Sequence, residues 1–286
     1  MSARLFHIFR NNPLGRETLL QSICFCEKVG ASLVIYIPRH TKFLMPFETN
    51  MVQVDLDGSY LISPDTALMH ANDLIEKRGL TAKFLNSDYT GAAALPEIQP
   101  KFDFMTCPRS VSDLSSKIGL GYLGPRVRRL VGSAQFPILL TSPAFKEWNS
   151  IAVFFGGSAN AVKALKLGLR ISRVSGLPIN VFTQTENTSR ESYEKVIEKN
   201  SLEKEMRRRI NEWYIFEQNS FEENLYQVPH DALVVLGAYG RSRLKDMVFG
   251  RKMEKIQSTL PNNILIVGPN YKEPNSSLPA WFPSLG

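Results

Sequence analysis

The sequence predicts an α/β protein: two tandem open-sheet domains of mainly parallel strands with helices on both faces, packed as a pseudo-dimer. Three observations carry this. Short continuous apolar runs alternate with segments of helical apolar spacing, so strand and helix take turns along the chain. The pattern then returns 146 residues later, where Ile151-Ala-Val-Phe-Phe155 repeats Leu5-Phe-His-Ile-Phe9, Gly176 falls on Gly30, and Ile179–Phe182 falls on Leu33–Tyr36. At the far ends of the two units the offset is 126: Gly124-Pro-Arg126 corresponds to Gly250-Arg-Lys252, and Pro137–Pro143 to Asn263–Pro269. A repeat of this size is a duplicated domain, not a solenoid. The two offsets differ by 20, which leaves the first copy longer by that many residues in its middle. Finally, 286 residues fit two units of about 140.

The elements follow in order. Leu5–Phe9 is a strand, ended by the turn residues Asn11-Asn-Pro-Leu-Gly15, and a helix with apolar positions at Leu19, Leu20, Ile23, Cys24 and Val29 runs from Glu17 to Gly30. Ser32–Ile37 is the second strand, completing a βαβ unit. Met51–Asp55 and Tyr60–Ile62 are strand-like, Asp65–Arg78 is helical, and Leu80–Leu85 and Phe102–Thr106 are strands. Pro125 suits the first position of a helix. In the second copy, Arg190–Arg209 is one charged helical stretch, Trp213–Phe216 a strand and Phe221–Tyr226 a short helix, while Ala232–Leu236 and Asn263–Val267 are buried strands. The domain boundaries are expected at 1–145 and 146–271, with a Pro/Ser-rich tail at 272–286. Each copy ends in an apolar strand whose free edge needs cover, so Phe136–Thr141 and Asn263–Val267 are expected to pair.

Composition narrows the function classes. There are 34 Lys+Arg against 27 Asp+Glu, a net charge of +7. This favours anionic ligands, but without a recognition motif or interleaved aromatics it disfavours nucleic acid. No apolar run has the length of a membrane span and the N-terminus has no signal-peptide core, so the expected address is cytoplasmic, with no membrane partner. Three cysteines argue against a disulfide framework, and Cys24 and Cys26 read as core residues of a helix. The four histidines (His7, His40, His70, His230) lack ligand spacing, so no metal site is expected. The chain has no G-K-[ST] loop, no G-x-S-x-G elbow and no H-E-x-x-H, and no catalytic residue is assigned.

The informative stretch is Asp231–Pro269. A buried strand runs into Gly237-Ala-Tyr-Gly240-Arg241, and after Gly250 comes Arg251 and a pattern of helical spacing (Met253, Ile256, Leu260). Glycine at a strand end lets backbone approach a ligand, and a helix start offers free N–H groups with partial positive charge. Together these make an anion seat. The spacing Gly237, Gly240, Gly250 resembles the G-2x-G-9x-G-(S/T) loop of the universal stress protein family, whose nucleotide-binding members hold the ribose and phosphates of ATP there. Arg251 stands where that loop has Ser or Thr. The resemblance implies an adenine-nucleotide α-hydrolase-like fold over roughly residues 3–269.

It also implies a site. In such members an Asp at the end of the first strand helps hold the nucleotide at its adenosine end; here that turn is Phe155-Gly156-Gly157-Ser158, with Gly156 at the carboxylate position. The candidate binding residues are therefore Gly156, Gly157, Ser158, Gly237, Tyr239, Gly240, Arg241, Gly250 and Arg251. Their implied ligand is ATP, ADP or AMP, with Mg²⁺ if ATP, or another phosphate-bearing small molecule. The first copy lacks the glycine loop after Phe102–Thr106 and its first strand ends Arg10-Asn-Asn12, so it is expected to be a structural partner. The function expected is a stress-response nucleotide-binding protein, with at most weak ATP hydrolysis. The alternative is a nucleotide-free scaffold acting on an unnamed protein partner, with a homodimer left open.

Overall fold

The computed structural model describes residues 2–48, 50–85, 95–109, 124–185, 188–239 and 251–273, and of 251, 252 and 254 the backbone only. The first half contains β1 (Arg4–Ile8), α1 (Pro13–Val29), β2 (Ser32–Tyr36), β3 (Lys42–Pro46), β4 (Met51–Asp55) and a 3₁₀ turn (Gly58–Leu61). It continues with α2 (Pro64–Glu76), β5 (Ala82–Leu85), β6 (Phe104–Pro108), α3 (Pro125–Ser133) and β7 (Ile138–Thr141). The second half contains β8 (Ser150–Phe154), α4 (Ala159–Ser175), β9 (Ile179–Gln184), α5 (Arg190–Lys199), α6 (Glu203–Arg209) and β10 (Ile210–Phe216). After these come α7 (Phe221–Leu225), β11 (Ala232–Gly237), α8 (Arg251–Thr259) and β12 (Ile264–Val267).

Ten strands form one sheet in the order β10-β9-β8-β11-β12-β7-β6-β1-β2-β5. Within each half every pairing of this sheet is parallel, and the halves meet at an antiparallel seam where Ile264 faces Leu140, Leu265 faces Leu139 and Ile266 faces Ile138. This is the expected pseudo-dimer, with each final strand covering the other's edge. Residues alternate between the two faces, as pleating requires: Leu5 joins the core under α1, α2 and α4, while Phe6 joins the core under α3 and α8. Beside the seam, Asn263 donates to Gln21 Oε1 at 2.6 Å, and Gln21 Nε2 donates to the Ala144 carbonyl at 2.8 Å.

Four local expectations need correction. The first helix starts at Pro13, not Glu17, because Asn12 Oδ1 accepts from the Gly15 amide at 2.7 Å and Pro13 supplies a preset first turn. Tyr60–Ile62 is not a strand: Asp57 accepts from the Ser59 amide and closes the 3₁₀ turn instead. Arg190–Arg209 is two helices, broken where Ser201 takes φ 54°. A strand at Lys42–Pro46 was not anticipated; it pairs antiparallel with β4 in a separate two-stranded hairpin. Cys24 and Cys26 are buried core residues, as read from the sequence. Alpha-1 buries Ser22 through Cys26 consecutively, since sheet and neighbouring helices enclose it, and burial pushes the Cys24 thiol up to about 11.

Candidate nucleotide site

The carboxyl ends of β8, β9 and β11 open onto a cavity of about 240 Å³. Ligands of open parallel sheets bind at this end. The walls are aromatic: Phe154, Phe155, Phe182, Tyr193 and Phe221 surround it, closed on one side by Met253 and Ile256 of α8. The rings brace one another, with Phe154 and Phe221 edge to face at 6.2 Å and Phe182 stacked on Tyr214 at 5.0 Å between centroids. Polar groups are few: Ser158 and Gln184. The volume lies just under the range of about 300–1,000 Å³ usual for small-molecule sites.

The predicted residues fall in distinct places. Gly156, Ser158 and Gly237 line the cavity. A Cβ built on Gly156 meets no heavy atom within 4 Å, so this position has room for a side chain on the cavity wall. Ser158 caps α4, its Oγ accepting from the Ala161 amide at 3.2 Å, and no acidic residue sits in that helix's first turn. The helix start therefore presents its partial positive charge to the cavity without a competing carboxylate. Gly157 has φ 72°, a left-handed backbone that favours glycine, and a Cβ there would lie 3.3 Å from the Tyr193 ring.

Gly237 has a packing reason to be glycine. A Cβ there would sit 2.4 Å from the Asn160 carbonyl carbon, because β11 runs against the first turn of α4. Asn160 Nδ2 then holds the Ala238 carbonyl at 2.6 Å, fixing where the loop departs. Tyr239 is not part of the cavity lining. At φ 60° it turns toward the first half, where its hydroxyl donates to the Arg128 carbonyl at 3.1 Å. Gly240, Arg241 and Gly250 lie outside the described residues, and of Arg251 the backbone opens α8.

Sequence reasoning missed the aromatic walls, Gln184 and Met253. The available signal was the clustering of aromatics at strand ends, Phe154-Phe155 and Phe182, directly before turn residues. The counterpart in the first half is closed. The space between β1, β6 and α3 holds the β3–β4 hairpin and Tyr60, leaving a cavity of about 20 Å³ beside Cys107 and Arg126. Phe43, Met45, Val52 and Val54 of the hairpin are buried there. Asn50 Nδ2 donates to Ser133 Oγ at 2.9 Å and Arg126 pairs with Asp55 at 3.4 Å, tying the hairpin to α3. Arg10, the counterpart of Gly156, lies over the Tyr60 ring at 5.4 Å and pairs with Asp57 at 3.7 Å. Burial raises the Cys107 thiol to about 12, which keeps it protonated and unreactive. Among the described residues there is no cluster of metal-ligating side chains, and no helix is long and apolar enough to cross a membrane.

No family model matches the sequence. A universal stress protein of Synechocystis sp. is 25% identical over 146 residues, 48% of this chain and 48% of that one. The chain thus spans about half the length of the curated relative it matches. A universal stress protein from Archaeoglobus fulgidus has a similar structure, with a TM-score of 0.62 at 14% identity, covering 94% of this chain and 99% of that one. The cytoplasmic domain of a prokaryotic cation chloride cotransporter is similar in fold as well, with a TM-score of 0.53 at 9% identity over 95% of this chain and 98% of that one.

Proposed function

We propose that the chain is a tandem member of the universal stress protein family, to which its sequence and fold are similar, and that its second half binds an adenine nucleotide as a cytoplasmic stress-response protein. The observation that carries this reading is the asymmetry of the two clefts: about 240 Å³ at the strand ends of the second half, about 20 Å³ in the first. Aromatic walls suit a planar base. The capped start of α4 suits an anion, with Gly237, Gly240 and the amides near Gly250 around the phosphates and Mg²⁺ accompanying ATP. No described residue is assigned to catalysis, and at most weak ATP hydrolysis belongs to the proposal. Calorimetric titration with ATP, ADP and AMP tests it; absence of heat with all three sinks it.

A second reading is favoured by Gly156, which supplies no side-chain acceptor for a ribose. On that reading the protein is a nucleotide-free scaffold acting through protein contacts, a use compatible with this fold serving as a cotransporter's cytoplasmic domain. Arg251→Ser separates the two by sign. Weaker nucleotide binding after the substitution supports a phosphate-gripping arginine. Binding created or strengthened by it marks the arginine as a plug and supports the scaffold.

A further inference from the structure

Gln184 is the polar group on the cavity wall to which the nucleotide reading gives no task. It ends β9 with Phe182 beside it, and a chain of hydrogen bonds fixes which way its carboxamide faces. The chain begins at the backbone carbonyl of Gln218, which can only accept. Asn224 Nδ2 donates to it at 3.1 Å, so the Asn224 amide group, and not its oxygen, points to that side. The same Nδ2 donates to Gln184 Oε1 at 2.7 Å. Asn224 is buried, and reversing it would set its oxygen against a carbonyl oxygen in a dry site.

Gln184 therefore spends its oxygen on Asn224 and keeps its NH₂ group. Among the described residues that group's contact is the neighbouring Thr185 carbonyl at 3.5 Å, the outer limit of a hydrogen bond, and one of its two hydrogens suffices for it. We propose that Gln184 is a specificity-determining residue, donating this hydrogen bond to an acceptor nitrogen of a heteroaromatic ring lying against the wall that Phe154, Phe182 and Phe221 form. The proposal rests on the nucleotide reading of the cavity. It excludes rings that present a donor at that point, because two N–H groups would then face each other without water between them.

The test uses the full chain, ADP, and the 1-deaza, 3-deaza and 7-deaza analogues of ADP, each lacking one ring acceptor. One analogue is expected to bind the wild type about tenfold more weakly than ADP. In Gln184→Met, which keeps the length of the side chain without its donor, that gap closes. Gln184→Glu serves as a second variant: its carboxylate accepts from Asn224 and also faces the ring as an acceptor, so ADP itself binds about tenfold more weakly. Equal binding of all four ligands to the wild type, or a gap that persists in both variants, overturns the proposal while leaving the cavity a nucleotide site. Failure of ADP to bind the wild type at all overturns the nucleotide reading, and this inference with it.

Discussion

Arg109 Nη2 donates to the backbone carbonyl of Leu260 at 2.9 Å, joining residues 151 apart in sequence. Its Nη1 donates to the Gln257 carbonyl at 2.6 Å, and Asn262 supplies a third carbonyl. A cation from the first half thereby caps the C-terminal end of α8, whose side chains Met253 and Ile256 wall the cavity of the second. Burial pulls the guanidinium down to about 10, so part of the gain is offset by desolvation. Arg109→Met is expected to lower unfolding stability by about 2 kcal/mol net, from carbonyls left without a donor. Urea denaturation at unchanged slope checks it; an unaltered midpoint would show that the cap carries no weight.

The stability of the protein should fall with acid before its carboxylates titrate. His7 is fully buried, with Nδ1 2.9 Å from Ser22 Oγ, and burial lowers its pKa from 6.5 to about 3. Between those values the unfolded chain binds a proton that the folded chain refuses, so stability drops as pH falls. The slope approaches about 1.4 kcal/mol per pH unit below 6.5. Glu205, which burial acts to raise and the adjacent Arg173 and Arg209 hold below 4.5, adds its own loss only at lower pH. Unfolding free energies of wild type and His7→Leu measured from pH 7 to 5 should diverge in slope, and parallel curves would refute the assignment.

Gly156→Asp should strengthen ADP binding about tenfold, the effect of one added charge-assisted hydrogen bond to the ligand. Open space around the Cβ position means that the thermal midpoint should stay within about 2 °C of wild type. Calorimetry on both proteins decides. A weaker or unchanged affinity would mean that the ligand's sugar does not lie against β8.

Gly237→Ala is expected to destabilise by about 1–3 kcal/mol, because the new methyl would displace the Asn160 backbone of α4. Differential scanning fluorimetry without ligand reads this directly. Normal stability combined with lost nucleotide binding would instead make Gly237 a ligand-contact glycine.

Much of the sheet could be read from sequence because strands covered on both faces are continuous apolar runs. Ala232–Leu236 and Ile264–Val267 announce themselves without context. Of the hairpin, β4 was legible as Met51–Asp55 but β3 was not, since Lys42–Pro46 is short and ends in proline, and its burial depends on packing beside α3. Its role as the filling of the first cleft is a tertiary fact. A cavity does lie at the ends of β8 and β11, where the strand order places a crevice, but part of its wall comes from α5, α7 and α8, elements far apart in sequence. Arg109 gave no signal either, for a cap on another domain's helix leaves no local pattern.

The antiparallel seam between β7 and β12 has a consequence for biosynthesis. Thr141 leaves the ribosome 123 residues ahead of Ile264, the first residue of β12. At about 5–20 residues per second, the delay is about 6–25 s. If the first half folds as it emerges, its sheet carries throughout that interval an apolar margin, Ile138–Thr141, with no strand of its own chain to receive it. Two neighbouring ribosomes on one message would present two such margins, each matching the geometry that the other lacks.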